Sequence, residues 1–316
     1  MSHAPHPFRR SARTDARNAG IARRAREEDP QARMSSPTAR PPIAGPLLAV
    51  SRAGVVVLLV LAVANGALLY FLPAHAQADY AWRVVPPVNA AFLGAGYLAG
   101  TLATALVVFA TRSWRSLRVL PLPLIVLSIS LLAATLLHTD RFRWDYPPTW
   151  LWTAVYAGVP FGVAELWRRQ ERAAPPPPAR HPGLRGLRLA SAALGGLLVA
   201  GSLALFLAPI ALADFWPWPL TPLLARAVAS WYALIGTALL VCAWSLHRPS
   251  EAIIAYSTLL AWSLLLLLLP VLHTNDFAAM SPELGAWLAV QTALSALAIY
   301  ALVTCVPLAR ATGERL

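Results

Sequence analysis

The sequence predicts an all-α integral membrane protein whose eight transmembrane helices form two tandem, parallel four-helix repeats. Three observations predict it. Of 316 residues, 58% are apolar and only 13% charged, with a mean hydropathy of +0.57, outside the range of soluble globular chains. The apolar residues come in long runs, such as Ala53 to Phe71 and Leu259 to Leu272. Runs of roughly 20 such residues match the hydrocarbon thickness of a bilayer for a helix, whereas a membrane barrel needs shorter alternating segments. Finally, the chain matches itself when slid by 135 positions, the spacing from Asp79 to Asp214.

Taken in order, residues 1–45 carry nine arginines and little apolar material. They cannot bury enough surface to offset the entropy of ordering, so a disordered Arg-rich cytoplasmic tail is expected. The first apolar run begins too late for a signal peptide, and the first helix is expected to act as an uncleaved anchor. The first repeat, 46–170, should hold helices near 50–72, 88–110, 118–138 and 148–167. A Pro-rich linker follows at 171–187, and the second repeat, 188–316, should hold helices near 188–211, 222–245, 251–272 and 284–308. Prolines 86, 87, 147, 148, 222 and 282 stand where a first helical turn tolerates a missing N–H. Ser281, Pro282 and Glu283 read as an N-cap, an N1 proline and a first-turn acid. Gly94, Gly96, Gly100, Gly195 and Gly196 read as points of close helix packing.

Arginine placement sets the orientation. The tail, Arg112, Arg115, Arg118, Arg168, Arg169, Arg172, Arg180, Arg185, Arg188, Arg248, Arg310 and Arg315 fall on one side, while the loops of the other side hold only Arg83, Arg141 and Arg143. Both termini are therefore expected in the cytoplasm. All 26 basic residues are arginine, with abundant Ala and Pro, which points to a bacterial chain of the cytoplasmic (inner) membrane. Of the net charge of +12, nine arginines against four acids place +5 in the tail, and no folded basic domain carries the remainder, so the expected partner is the lipid bilayer and not nucleic acid. Cys242 and Cys305 fall inside helices, where neither a disulfide framework nor a thiolate metal site is expected.

The self-match runs without a gap from about Phe71 to Val155, and its scarce residue types carry it. Asp79 falls on Asp214, Pro87 on Pro222, Tyr97 on Tyr232, His138 on His273, Thr139 on Thr274, Phe142 on Phe277, Pro147 on Pro282 and Trp152 on Trp287. With an even number of helices per copy, both copies enter the membrane alike, and a ligand site is expected between them. The matched polar residues cluster at external helix ends and loops. Asp79, Asp214, Trp82, Trp218, His138, His273, Asp140 and Arg226 are the candidate ligand-binding residues, with His138 and His273 as candidate metal ligands. Arg83 and Arg226 stand as cationic partners for Asp79 and Asp214. The structural alternatives are dipole-stabilising terminal histidines, capping aspartates, an interfacial aromatic belt and a snorkelling Arg226. Glu165 is the one ionisable group near the membrane interior, which disfavours a proton pump or ion-coupled carrier.

HExxH, GxSxG, Walker, CxxC and CxxCH motifs are all missing. Eight helices in two halves resemble haem-carrying membrane enzymes such as haem A synthase. Those hold axial histidines inside several helices, whereas the matched histidines here stand at helix ends, so no haem ligand is carried over. The stretch from Tyr80 through Trp82, Pro86, Pro87, Asn89 and Gly94 to Tyr97 resembles a segment of uncharacterised multi-pass proteins of actinobacteria and related phyla, a resemblance that brings no activity with it. The sequence thus leads to a polytopic membrane protein binding or transporting a small molecule or ion at an external-side site between the repeats. A metal- or haem-dependent membrane enzyme, and an assembly or sensory partner acting through the tail, are the alternatives.

Overall fold

A computed structural model describes residues 48–111, 113–277 and 281–314. The Arg-rich tail, Arg112 and Arg315 lie outside the described residues. The long helices are α1 (Ala49–Phe71), α2 (Pro87–Ala105, continued by a π turn at Leu106–Ala110), α3 (Pro121–Leu137, led by a short turn at Trp114–Leu117), α4 (Pro147–Ala173), α5 (Arg185–Leu207), α6 (Pro222–Ser245), α7 (Ser250–Leu267) and α8 (Pro282–Ala311). Among the described residues, seven helical segments, all except α4, are long and apolar enough to cross a membrane. In α4 the apolar stretch is diluted by Pro147, Pro148 and Pro160 and ends in the charged run from Glu165 to Arg172.

The prolines predicted to open helices do so: Pro87, Pro147, Pro222 and Pro282 each stand at a first turn. Ser281 accepts from Leu284 N at 3.2 Å, as its N-cap assignment requires, and Thr221 accepts from Leu224 N at 3.3 Å. The last turn of the run 250–272 breaks off as a separate short helix, Leu269–Leu272. Pro270 explains the break, because it has no N–H to give the carbonyl one turn back.

The fourth helix extends beyond the predicted 167 to Ala173, and the added turns are held by pairs along the helix and by side chains far away in sequence. Glu165 binds Arg168 and Arg169 along the helix. Gln170 is buried and accepts from Ser51 Oγ at 3.1 Å and Leu48 N at 3.2 Å. Glu171 takes Arg118 Nε at 2.7 Å and Trp114 Nε1 at 2.9 Å. Part of the predicted linker is thereby helix, and the remainder is tied back by His181 N donating to His247 O at 2.9 Å.

Helices α2, α3, α6 and α7 form the centre, with α3 against α6 and α2 against α7. Outside them α1 packs on α2, α5 on α6, α4 on α3 and α8 on α7. Outer helices turn large apolar residues outward, for example Val57, Val60, Phe161 and Leu207, which suits a surface whose solvent is lipid. Between membrane helices the apolar effect gives no net drive, so close backbone contact has to hold the bundle. A methyl added at Gly94 would lie 2.4 Å from Tyr70 N, and one at Gly195 would lie 2.8 Å from Gly236 O. Gly94 and Gly195 therefore serve packing as expected. Gly100 and Gly196 do not, since nothing lies within 4 Å of a methyl at either.

Candidate functional site

Of the eight candidate residues, Trp82 and Trp218 are only 2% exposed, each in its own aromatic box rather than on an interfacial rim. Trp82 has Tyr80, Trp152 and Phe142 around it at ring-centroid distances of 4.8, 4.7 and 5.0 Å. A backbone bridge joins it to Phe142. Trp218 has Phe277, Trp287 and Trp216 at 5.3, 5.4 and 5.5 Å, and its Nε1 donates to Asn89 Oδ1 at 2.9 Å. Edge-on rings at these spacings attract beyond their area burial. The boxes anchor the loops before α2 and α6 to the start of α4 and α8.

Asp79, Asp214 and Asp140 are exposed. Among the described residues no ion pair joins Asp79 to Arg83 or Asp214 to Arg226, while Asp140 pairs with Arg141 at 2.9 Å. Arg226 turns instead to His138, with its Nη1 2.8 Å from His138 Nε2. A guanidinium can only donate, so the imidazole nitrogen accepts and carries no proton there. Burial, and then the Arg226 charge, hold His138 below the ordinary histidine range.

His273 has a different partner. Its Nδ1 lies 3.7 Å from Asp276 Oδ2, and the same carboxylate oxygen accepts from Val88 N at 3.0 Å. Asp276 thereby caps the first turn of α2, a helix whose own N-cap side chain makes no such bond. Burial outweighs the Asp276 charge and also holds His273 below the ordinary range. The two imidazoles thus engage separate partners, Arg226 on α6 and Asp276 in the turn after α7. Among the described residues no three His, Cys, Asp or Glu side chains gather as a metal-binding group.

Sequence reasoning missed two adjacent spaces in the helix bundle. The first, about 190 Å³, lies between α2, α3, α6 and α7, with α1 and α4 closing one side, and is lined by Gly100, Leu127, Tyr156, Trp231, Tyr256 and Trp262 among others. The second, about 450 Å³, runs between α1, α3 and α4 past Gly54, Gly158 and Gly162. They share Leu58, Leu61, Leu120, Leu124, Val155 and Val159. Most hydroxyls on these walls are already engaged: Thr104 bonds Gly100 O at 2.8 Å, Thr258 bonds Ile254 O at 2.8 Å, and Tyr97 and Tyr156 bond each other at 2.5 Å. The indole N–H groups of Trp231 and Trp262 are buried with no acceptor among the described residues. Comparison with known proteins finds no matching family model, curated protein or solved structure.

Proposed function

We propose that this chain is a polytopic membrane protein of two tandem four-helix repeats that binds a small, largely apolar molecule between them. The central cavity carries the reading. It draws walls from both halves at mid-helix and leaves two buried indole donors, Trp231 and Trp262, unpaired. A buried donor without a partner costs about 1–3 kcal/mol, which favours a ligand with an acceptor oxygen. The groove between α1 and α4 offers a route from the lipid. The cavity lies deeper than the external-side polar site expected from the sequence.

Several observations support the duplication. The same offset of 135 that aligns the sequence relates the helix starts at Pro87 and Pro222, those at Pro147 and Pro282, and the short turns Thr139–Arg141 and Thr274–Asp276. Exchanging the halves maps each packing pair onto another: α1 with α2 onto α5 with α6, and α3 with α6 onto α7 with α2. Gly96 touches Trp231, its own counterpart, where a methyl would lie 2.5 Å from the indole ring. A residue meets its counterpart only on the axis that relates the copies, and an axis along the bilayer normal keeps both copies equally oriented. On this reading α4, with 27 residues, is the eighth crossing, and the arginine-rich ends face the cytoplasm.

The test is extraction of the purified protein with organic solvent, followed by mass spectrometry of the co-purified apolar molecules, for wild type and Gly100→Leu. Leucine at 100 enters the cavity without meeting a neighbour at its first carbon. The variant should keep its unfolding midpoint and lose the bound molecule by about tenfold or more, the loss that roughly 1.4 kcal/mol produces. Equal loading of the two proteins would refute the cavity as the site.

A further inference from the structure

The loop after α3 and the matching loop after α7 treat charge in opposite ways. After α7, Asp276 delivers a carboxylate to Val88 N at the start of α2. At the position matching Asp276 the first loop has Arg141, and at the position matching Ala91 of α2 the helix α6 has Arg226. Asp140 in turn stands where the other loop has Asn275, so each loop keeps one acid, shifted by one position, while this end gains two cations. Arg141 is satisfied by Asp140, both well exposed at 70% and 69%. Arg226 is not satisfied in this way. Its Nη1 meets His138, its Nε is buried with no acceptor, its guanidinium carbon stands 5.8 Å from the Phe206 ring centre, and no carboxylate pairs with it among the described residues. A guanidinium at the edge of a bilayer without a counter-charge is expensive, and its forked donors fit a carboxylate or phosphate.

We propose that Arg226, with His138 beside it, binds an oxyanion of the phosphate class in the place that Asp276 fills in the other half. Arg226 lies one turn inside the N-terminus of α6, whose dipole adds to the attraction. His138 Nε2 fixes Nη1 and Nε is buried, leaving the Nη2 donors for the anion. Two sources share this chemistry, a lipid headgroup and a soluble phosphate. The inference is independent of the central cavity and uses none of its residues.

The experiment places the full chain in nanodiscs of phosphatidylcholine, with and without inorganic phosphate, and in nanodiscs containing phosphatidylglycerol. Thermal unfolding and native mass spectrometry are read for wild type, Arg226→Ala and Arg226→Lys. Alanine reproduces Ala91 of the other half, so the fold has a precedent for it. Wild type should gain roughly 5–10 °C at a hundredfold excess over Kd. Arg226→Ala should gain nothing, and Arg226→Lys, with a charge but no fork, should bind at least about tenfold more weakly. A response to phosphatidylglycerol alone identifies a headgroup site, and a response to phosphate in phosphatidylcholine identifies a soluble anion. No response in wild type, or the same response in Arg226→Ala, overturns the proposal. Should the alanine variant fail to fold, equal binding by Arg226→Lys and wild type overturns it.

Discussion

Gly94 and Gly100 stand on the same face-crossing stretch of α2, six residues apart, and alanine at each should act in opposite directions. In a helix interior alanine is favoured over glycine by about 1 kcal/mol wherever there is room for it. At 100 there is room, since nothing lies within 4 Å of the added methyl. At 94 the methyl would lie 2.4 Å from Tyr70 N, with Leu69 C and Tyr70 Cα both at 2.8 Å. These are backbone atoms of α1, so no rotamer change relieves the overlap. Restoring the ordinary separation of about 3.5–4.0 Å requires α1 to move away by roughly 1 Å, and overpacking of this kind costs about 1–3 kcal/mol. Because α1 is held on the bundle mainly by this contact with α2, the upper half of that range applies. The net effect is a loss of about 1–2 kcal/mol at 94 and a gain of up to about 1 kcal/mol at 100. At roughly 2–4 °C per kcal/mol for a chain of this size, the two variants should differ by about 5–10 °C in midpoint. Cys242 and Cys305 are both buried and free, so a thiol-reactive fluorogenic dye reports the unfolding in detergent. A Gly94→Ala midpoint equal to or above that of Gly100→Ala would refute the close approach of α1 and α2.

Asp276→Ala should cost about 1 kcal/mol, the usual loss of an N-cap, whereas Asp79→Ala and Asp214→Ala should stay within about 0.5 kcal/mol, as exposed substitutions do; the same dye assay separates them. Stability should also fall in mild acid. His138 and His273 are both held below the ordinary histidine value of about 6.5, so between that value and their folded values the unfolded chain binds more protons. Their contribution is complete above about pH 6.5 and is lost as the pH falls through the window beneath it. Midpoints measured from about pH 7.5 to pH 5 should drop less in the double variant His138→Gln, His273→Gln than in wild type, and parallel curves would remove these imidazoles from the account.

Apolar run length and hydropathy made the membrane helices legible, and proline placement made the starts of α2, α4, α6 and α8 legible. Both signals are local. The end of α4 was misjudged because Gln170 and Glu171 gain their partners from Ser51, Trp114 and Arg118, more than fifty residues away. Trp82 and Trp218 read as ligand-binding candidates, with an interfacial belt as the alternative because tryptophan favours that depth in any membrane protein. Their inclusion in aromatic boxes depends on rings from Trp152 and Trp287 that only the fold brings near. The cavity was illegible for a further reason. A helical glycine reads the same whether it admits a neighbouring backbone, as Gly94 does, or leaves a space, as Gly100 does.

Arg226 shows how proximity in sequence misleads about charge. Asp214 precedes it by three helical turns' worth of chain, yet Asp214 lies exposed while the guanidinium reaches His138 on another helix. The choice follows from where each group can be hydrated. A carboxylate in a loop keeps its water at no cost, and an ion pair with a partly buried arginine would strip that water for a modest return. The guanidinium, fixed on α6, cannot reach bulk water as freely and takes the nearest neutral acceptor instead. A neutral acceptor satisfies a hydrogen bond but leaves the charge uncompensated. In the opposite half the matching helix position is Ala91 and the matching loop ends in Asp276, so no such imbalance arises there. If the halves descend from one ancestor, the divergence at these two positions turned a helix cap into a cationic recess, and a bound anion is what restores the balance.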